Sequence, residues 1–351
     1  MTANVKVAGF NDKQPAWWGL GIQPENAYQW ADVSTGFEAA GMMYKLYLTP
    51  CKTEFKGIEI EFTDRRVVTR EPSLRDDQPT LLDVVSDNFV LLQNQEIAER
   101  FDPLCKLYKL ATFGVLDEGR RVWCAFETDE FDIKGDPFKG FLVAYGHQAG
   151  SGSFSVFYTN VRVVCQNTLM MALDKSFDLM KFAHKGQVKD LVEMRAWAEV
   201  EVAASRQNVI KQWEMLVNTK VNEIQVAQII EAAFPEPKKG KAIRMVEAAP
   251  DLLQKSLAQS LFDEAQAKLD RGMVSVENNR VAVGNKLNIF NSEFPQFAGT
   301  AYAVVNAVTE HADWPENARK DTPQATLFGY RNGWKQKAWA EAMKIAKASN
   351  N

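Results

Sequence analysis

The sequence predicts an α+β fold: an antiparallel sheet followed by long helices, with a mainly helical C-terminal region. Two observations predict it. Strand-like segments follow one another between about residue 36 and 166, and after Cys165 the apolar spacing becomes helical. Strands followed by helices, rather than strict alternation, argue against a doubly wound sheet. A chain of 351 residues has room for about two domains.

Residues 1–35 read as an N-terminal arm. Pro15, Trp17, Trp18, Gly19, Gly21, Pro24 and Trp30 show little periodicity, and the aromatic rings are suited to pinning the arm to the body. The α+β core is expected over 36–234. Its strands are Tyr44–Thr49, Gly57–Phe62 and Asn88–Asn94, then Lys109–Leu116 and Arg120–Glu127 joined by the turn Asp117-Glu118-Gly119. A short helical segment ends near Pro103, and residues 65–87, with Pro72 and Pro79, read as a loop. Gly140–Gly146 and Ser153–Cys165 form a second strand pair.

After Cys165, Asn167 or Thr168 can cap a helix whose apolar residues are Leu169, Leu173, Phe177 and Met180. Helices are expected at about 186–220 and at Glu223–Phe234, the latter stopping before Pro235 and Pro237. Residues 235–242 read as a linker. The mainly helical C-terminal region is 243–351, with a small turn-rich stretch at Val274–Asn291.

The balance of 46% hydrophobic and 25% charged residues excludes a disordered or collagen-like chain. No apolar run approaches the ~18 residues of a membrane span, and the first residues lack the pattern of a secretory signal. The expected location is the bacterial cytoplasm, with no membrane partner. The net charge of −4 leaves a nucleic-acid site only as a local patch. Pro237–Arg244 carries Lys238, Lys239, Lys241 and Arg244 with no acid, and such runs are commonly solvated surface. The four cysteines, Cys51, Cys105, Cys124 and Cys165, form no C-x-x-C pair and read as reduced thiols.

No cofactor, metal or catalytic residue is expected. Gly240-Lys241 lacks the rest of a phosphate-binding loop, and neither Gly19-Leu20-Gly21 nor Gly150-Ser151-Gly152 completes a dinucleotide fingerprint. Three histidines, His147, His184 and His311, give few candidates for a histidine base. Glu59/Glu61 and Glu127/Asp129 share a strand face by their spacing of two. They could hold Mg²⁺, which keeps a metal-dependent nuclease as a third reading.

The most distinctive stretch is Tyr158–Thr168. Strand alternation sends Phe157, Thr159, Val161, Val163 and Cys165 toward the core and Tyr158, Asn160 and Arg162 the other way. A ring to stack a base, an amide and a guanidinium for a phosphate suit a single-stranded nucleic acid. Gln166 and Asn167 stand at the expected start of the next helix, where free amides favour anions. Lys181, Lys185 and Lys189, four residues apart, would extend a basic track. The simpler alternative is that Arg162 pairs with a strand acid and Asn167 only caps a helix.

Val84–Asn94 (VVSDNFVLLQN), Arg162–Leu169 (RVVCQNTL), Gly299–His311 (GTAYAVVNAVTEH) and Pro15–Gly21 (PAWWGLG) resemble the phage/plasmid-like protein family, a domain of unknown function numbered 932. The resemblance covers roughly residues 15–330. It departs at Trp18, where the family commonly has histidine. It implies a protein carried by mobile elements and implies no reaction. The expectation is a protein that binds or anneals single-stranded DNA without hydrolysing nucleotides, with homo-oligomers by analogy to annealing proteins. The alternative is a non-catalytic protein that binds a host protein in counter-defence or regulation, for which the nine tryptophans, several in loops or the N-terminal arm, would supply anchors.

Overall fold

A computed structural model describes residues 7–10, 30–73, 77–148, 154–162, 168–169, 178–182, 191–248, 256–313 and 330–349. The architecture is α+β, with antiparallel sheets in the N-terminal half, then long helices and a helical C-terminal region. The chain divides into two compact units: residues 1–211 with 319–329, and residues 212–318 with 330–351.

The first unit opens with β1 (Val7–Phe10) and α1 (Val33–Ala39), whose N-cap Asp32 accepts from the Thr35 amide at 2.7 Å. A three-stranded sheet follows, formed by β2 (Leu46–Phe55), β3 (Ile58–Arg70) and β4 (Thr80–Ser86) in that order. The expected loop at 65–87 is therefore corrected. Val67-Val68 and the apolar residues Leu81, Leu82, Val84 and Val85 carry strands through a polar stretch, and Val68, Leu82 and Val85 are buried. The strand expected at Asn88–Asn94 is absent; the segment leads instead into α2 (Asn94–Phe101). Gln93 explains the exchange. Its side chain accepts from the Leu46 amide at 3.0 Å and donates to the Leu46 carbonyl at 2.9 Å, so a side-chain amide takes the place of a strand neighbour.

The larger sheet has the order β1-β5-β6-β7-β8-β10, all antiparallel, with β5 at Lys109–Leu116, β6 at Arg121–Ile133, β7 at Asp136–His147, β8 at Phe154–Arg162 and β10 at Asp178–Phe182. The short β9 (Thr168–Leu169) pairs with β8. Both hairpins expected from the sequence are present, β5–β6 and β7–β8. The β6–β7 turn places Lys134 and Gly135 at positive φ (52° and 90°), the geometry that favours glycine in the second position. The centre of the sheet is buried on both faces: Val122 to Phe126 and Phe141 to Ala144 are all inaccessible. On one face, Phe37 of α1 meets Phe113 with ring centres 5.7 Å apart, and Phe101 of α2 meets Phe126 at 6.4 Å.

The helix expected from Asn167 or Thr168 through Met180 is corrected where it is described, because Thr168–Leu169 and Asp178–Phe182 are strands. Pairing with β8 satisfies their backbone groups, and that tertiary demand overrides the apolar spacing. α3 (Leu191–Asn218) matches the long helix expected near 186–220.

The second unit is helical: α4 (Glu223–Ala233), α5 (Lys241–Ala248), α6 (Ser256–Glu293), α7 (Ala301–Asp313) and α8 (Tyr330–Ser349). Residues 235–242 lie inside this unit, 235–240 between α4 and α5 and 241–242 opening α5. α7 is apolar around its circumference and almost wholly buried, which makes it the central helix, with α4, α6 and α8 packed on it. Trp213 sits edge-on to Tyr302 at 5.1 Å and to Trp339 at 4.6 Å. The turns expected at Val274–Asn291 are corrected, since the stretch lies within α6. Asn279 donates its amide to the Ser275 carbonyl at 2.7 Å and its Oδ1 accepts from His311 Nε2 at 2.7 Å, so an unfavourable helix residue is held by its side-chain bonds. The Lys335 ammonium pairs with Asp313 at 2.8 Å, the lysine side chain fully buried and the carboxylate nearly so.

Candidate functional site

In β8, Tyr158 stands opposite Leu142, Asn160 opposite Gly140 and Arg162 opposite Phe138 of β7. Alternation puts Val156, Tyr158, Asn160 and Arg162 in one set. Val156 and Tyr158 are buried, Tyr158 with only 3% of its surface accessible, so the expectation of a solvent-facing stacking ring at Tyr158 is corrected. The physical reason lies in the neighbouring strands. β6 carries a bulge: Thr128 and Asp129 together oppose the single residue Gly140, between the pairs Glu127–Phe141 and Glu130–Lys139. Gly140 has no side chain, and the phenol of Tyr158, the Asp129 carboxylate and the Thr128 hydroxyl occupy the space a Cβ would need.

The bulge gathers a polar cluster. Thr128 donates its hydroxyl to Asp129 Oδ1 at 2.7 Å, and Tyr158 donates to the same oxygen at 3.4 Å. Arg206 of α3 pairs through Nε with Asp129 Oδ2, and its guanidinium lies 6.0 Å from the Phe131 ring centre. Burial pushes the Tyr158 phenol well above its ordinary value of 10.0; Asp129 adds to the shift and Arg206 opposes it. Tyr158 is thus a hydrogen-bond donor throughout the physiological range. The cluster fixes β8 against β6 and α3.

The bulge also reverses the faces. Glu127 pairs with Lys139 at 3.2 Å, and Lys139 reaches Glu130 at 3.3 Å, on the side away from Gly140. Burial alone would lower the Lys139 ammonium, but Glu127 and Glu130 more than reverse this and hold it above its usual value. Glu127 and Asp129 therefore occupy opposite faces, which corrects their expected pairing. Glu59 and Glu61 do share a face, with Lys52 at 2.8 Å and 3.8 Å, so an ammonium balances them. Among the described residues, no group of three or more acidic, histidine or cysteine side chains is placed to hold a metal.

Lys181 lies in β10 opposite Ser155, out of phase with Tyr158 and Arg162. The register puts Arg162 and Lys181 at alternating positions of their strands, and strand geometry replaces the helical four-residue repeat at Lys181. Gln166, Asn167, Lys185 and Lys189 lie outside the described residues, as do the side chains of Asn160, Arg162 and Lys181. The sequence reading missed the roles of Thr128, Gly140 and Arg206. The available signal was Thr128-Asp129-Glu130 interrupting an apolar strand opposite a lone strand glycine.

No helix among the described residues is long and apolar enough to cross a membrane. A family model described as "Domain of unknown function (DUF932)" matches residues 81–332. No curated protein and no solved structure matches the chain.

Proposed function

The chain belongs to the DUF932 family, and from that premise we propose that it is a mobile-element protein of the host cytoplasm that binds and anneals single-stranded DNA without nucleotide hydrolysis. The observation that supports this reading is the pairing at the end of β8. Asn160 pairs with Leu169 and Val161 with Thr168, so β9 runs antiparallel beside the last residues of β8. Arg162 ends β8 next to these pairs, and Gln166 and Asn167 immediately precede β9 in the sequence. One guanidinium supplies a phosphate contact and three amides supply donors and acceptors for base edges. Tyr158, buried and donating to Asp129, holds β8 in place rather than stacking a base. The neighbouring cations Lys139 and Arg206 are held by acids, which favours Arg162, with Lys185 and Lys189 further along the chain, as the phosphate contacts.

The reading is tested by mixing the protein with a labelled single strand, its complement and the preformed duplex, without nucleotide. Preferential retention of the single strand and faster annealing are expected. No retention of the single strand at about 50 mM salt, where phosphate contacts are strongest, contradicts it.

A second reading, docking on a host protein, is favoured by a different observation. Tyr47 and Leu81 flank Thr69 in one row across β2, β3 and β4, and both are about half accessible. A chain that ignores nucleic acid but forms a stoichiometric complex with one host protein would establish that reading instead.

A further inference from the structure

Beyond its junction with β4, the β2–β3 hairpin continues as a two-stranded ribbon, Cys51–Phe62. β4 pairs with β3 only from Arg65 to Arg70, so among the described residues both edges of the ribbon are open. Pro50 and the register shift next to it, with Thr63–Arg65 unpaired against β2, separate the ribbon from the sheet below. Lys56 and Gly57, at φ 50° and 77°, close its tip in a two-residue turn. Directly paired residues share a face. One face is therefore Phe55/Ile58, Thr53/Ile60 and Cys51/Phe62, and the other is Glu54/Glu59 and Lys52/Glu61. The charged face is internally balanced, with Lys52 between Glu59 and Glu61.

The apolar face lies open: Phe55 is 61% accessible, Ile58 66%, Ile60 42% and Phe62 43%. A two-stranded ribbon is at best marginally stable in water, so a ribbon with its apolar side uncovered calls for a partner. We propose that this face docks on the same face of a second copy of the chain. With about 200 Å² for each large apolar side chain, the four residues offer about 400 Å² per copy. Two copies would bury about 800 Å² from these residues alone, and Cys51, Thr53 and the flanking strand ends bring the total toward the ~1,200–2,000 Å² of a stable interface.

The charges at the two ends of the ribbon bear on the orientation. Lys56 Nζ lies at the tip, 5.4 Å from the Phe55 ring centre, and at the base the exposed Asp64 carboxylate lies 3.5 Å from the Arg65 guanidinium in an exposed pair. A two-fold stack with the ribbons antiparallel sets the tip of each copy against the base of the other. It brings Lys56 toward Asp64 of the second copy and the Thr53/Ile60 pair onto the axis, as an isologous interface requires. The proposal is independent of the nucleic-acid reading, because its readout is mass.

Light scattering on the full chain in the absence of DNA tests it. The expected result is a dimer that becomes a monomer in the Phe55→Glu/Ile58→Glu double variant, with unchanged far-UV circular dichroism. The Glu54→Gln/Glu59→Gln variant on the reverse face should remain dimeric. Should the double variant fail to fold, Thr53→Cys in a Cys51→Ser background decides: mild oxidation should give a disulfide-linked dimer. A wild-type monomer at all concentrations, a dimer unaffected by the double variant, or a Thr53→Cys chain that stays uncrosslinked overturns the proposal.

Discussion

The hydroxyl of Tyr158 reaches the Asp129 carboxylate at 3.4 Å, across a strand position where Gly140 leaves room for both. A methyl group at position 140 would overlap the phenol oxygen and the carboxylate. Gly140→Ala is expected to destabilise the protein by about 1–3 kcal/mol, the usual cost of overpacking. Urea unfolding followed by tryptophan fluorescence measures this; unchanged stability would contradict the described packing.

The raised Tyr158 phenol has a pH consequence. The folded form keeps its proton where the unfolded form, near its ordinary 10.0, begins to lose it. The unfolded state therefore gains relative to the folded one as pH rises above about 10, and below that the group leaves stability flat. Absorbance titration at alkaline pH should show wild type and Tyr158→Phe gaining equal tyrosinate signal until the fold is lost. An extra ionising tyrosine in the folded wild type near pH 10 would contradict this.

Burial pushes the Cys105 thiol up to about 12, and the negative charges of Asp102 and Asp32 add to the effect. At pH 8 only about one part in ten thousand is thiolate, the reactive form. Alkylation of the native protein at pH 8, read by peptide mass spectrometry, should modify half-exposed Cys51 well before Cys105. Faster labelling at Cys105 would contradict the described burial.

In the helical unit, Lys335 and Asp313 form a largely buried pair. Lys335→Met leaves a buried carboxylate without its ammonium and is expected to cost about 3–5 kcal/mol. The Lys335→Met/Asp313→Leu double variant should recover much of that loss. Thermal unfolding of the single and double variants measures the coupling; equal destabilisation in both would show that the charges do not act as a pair.

The order of elements was legible because hairpin turns and helix caps are local signals: the β5–β6 turn and the Asn222 cap of α4, which accepts from the Gln225 amide at 2.9 Å, are written in adjacent residues. Long-range exchanges were not legible. Gln93 replaces a strand neighbour 47 positions away, and β10 is a strand because β8 needs a partner. The site misled for a related reason. Strict alternation assigned Tyr158 to solvent, but which face of a strand is buried depends on the layers packed against it. Likewise, a spacing of two assigned Glu127 and Asp129 to one face until the bulge at Thr128 divided them. Gly140 was the residue from which that bulge could have been anticipated.

The central proposal is that the paired ends of β8 and β9 hold a single strand through Arg162. The most direct measurement is fluorescence anisotropy of a labelled oligodeoxythymidine titrated with wild type and Arg162→Ala across a range of salt. The account predicts that affinity falls as salt rises and that the variant binds more weakly, its logarithmic salt slope shallower by about 0.7, the value for one phosphate contact on a single strand. Wild type that does not bind, or a variant with the same affinity and slope, would contradict it.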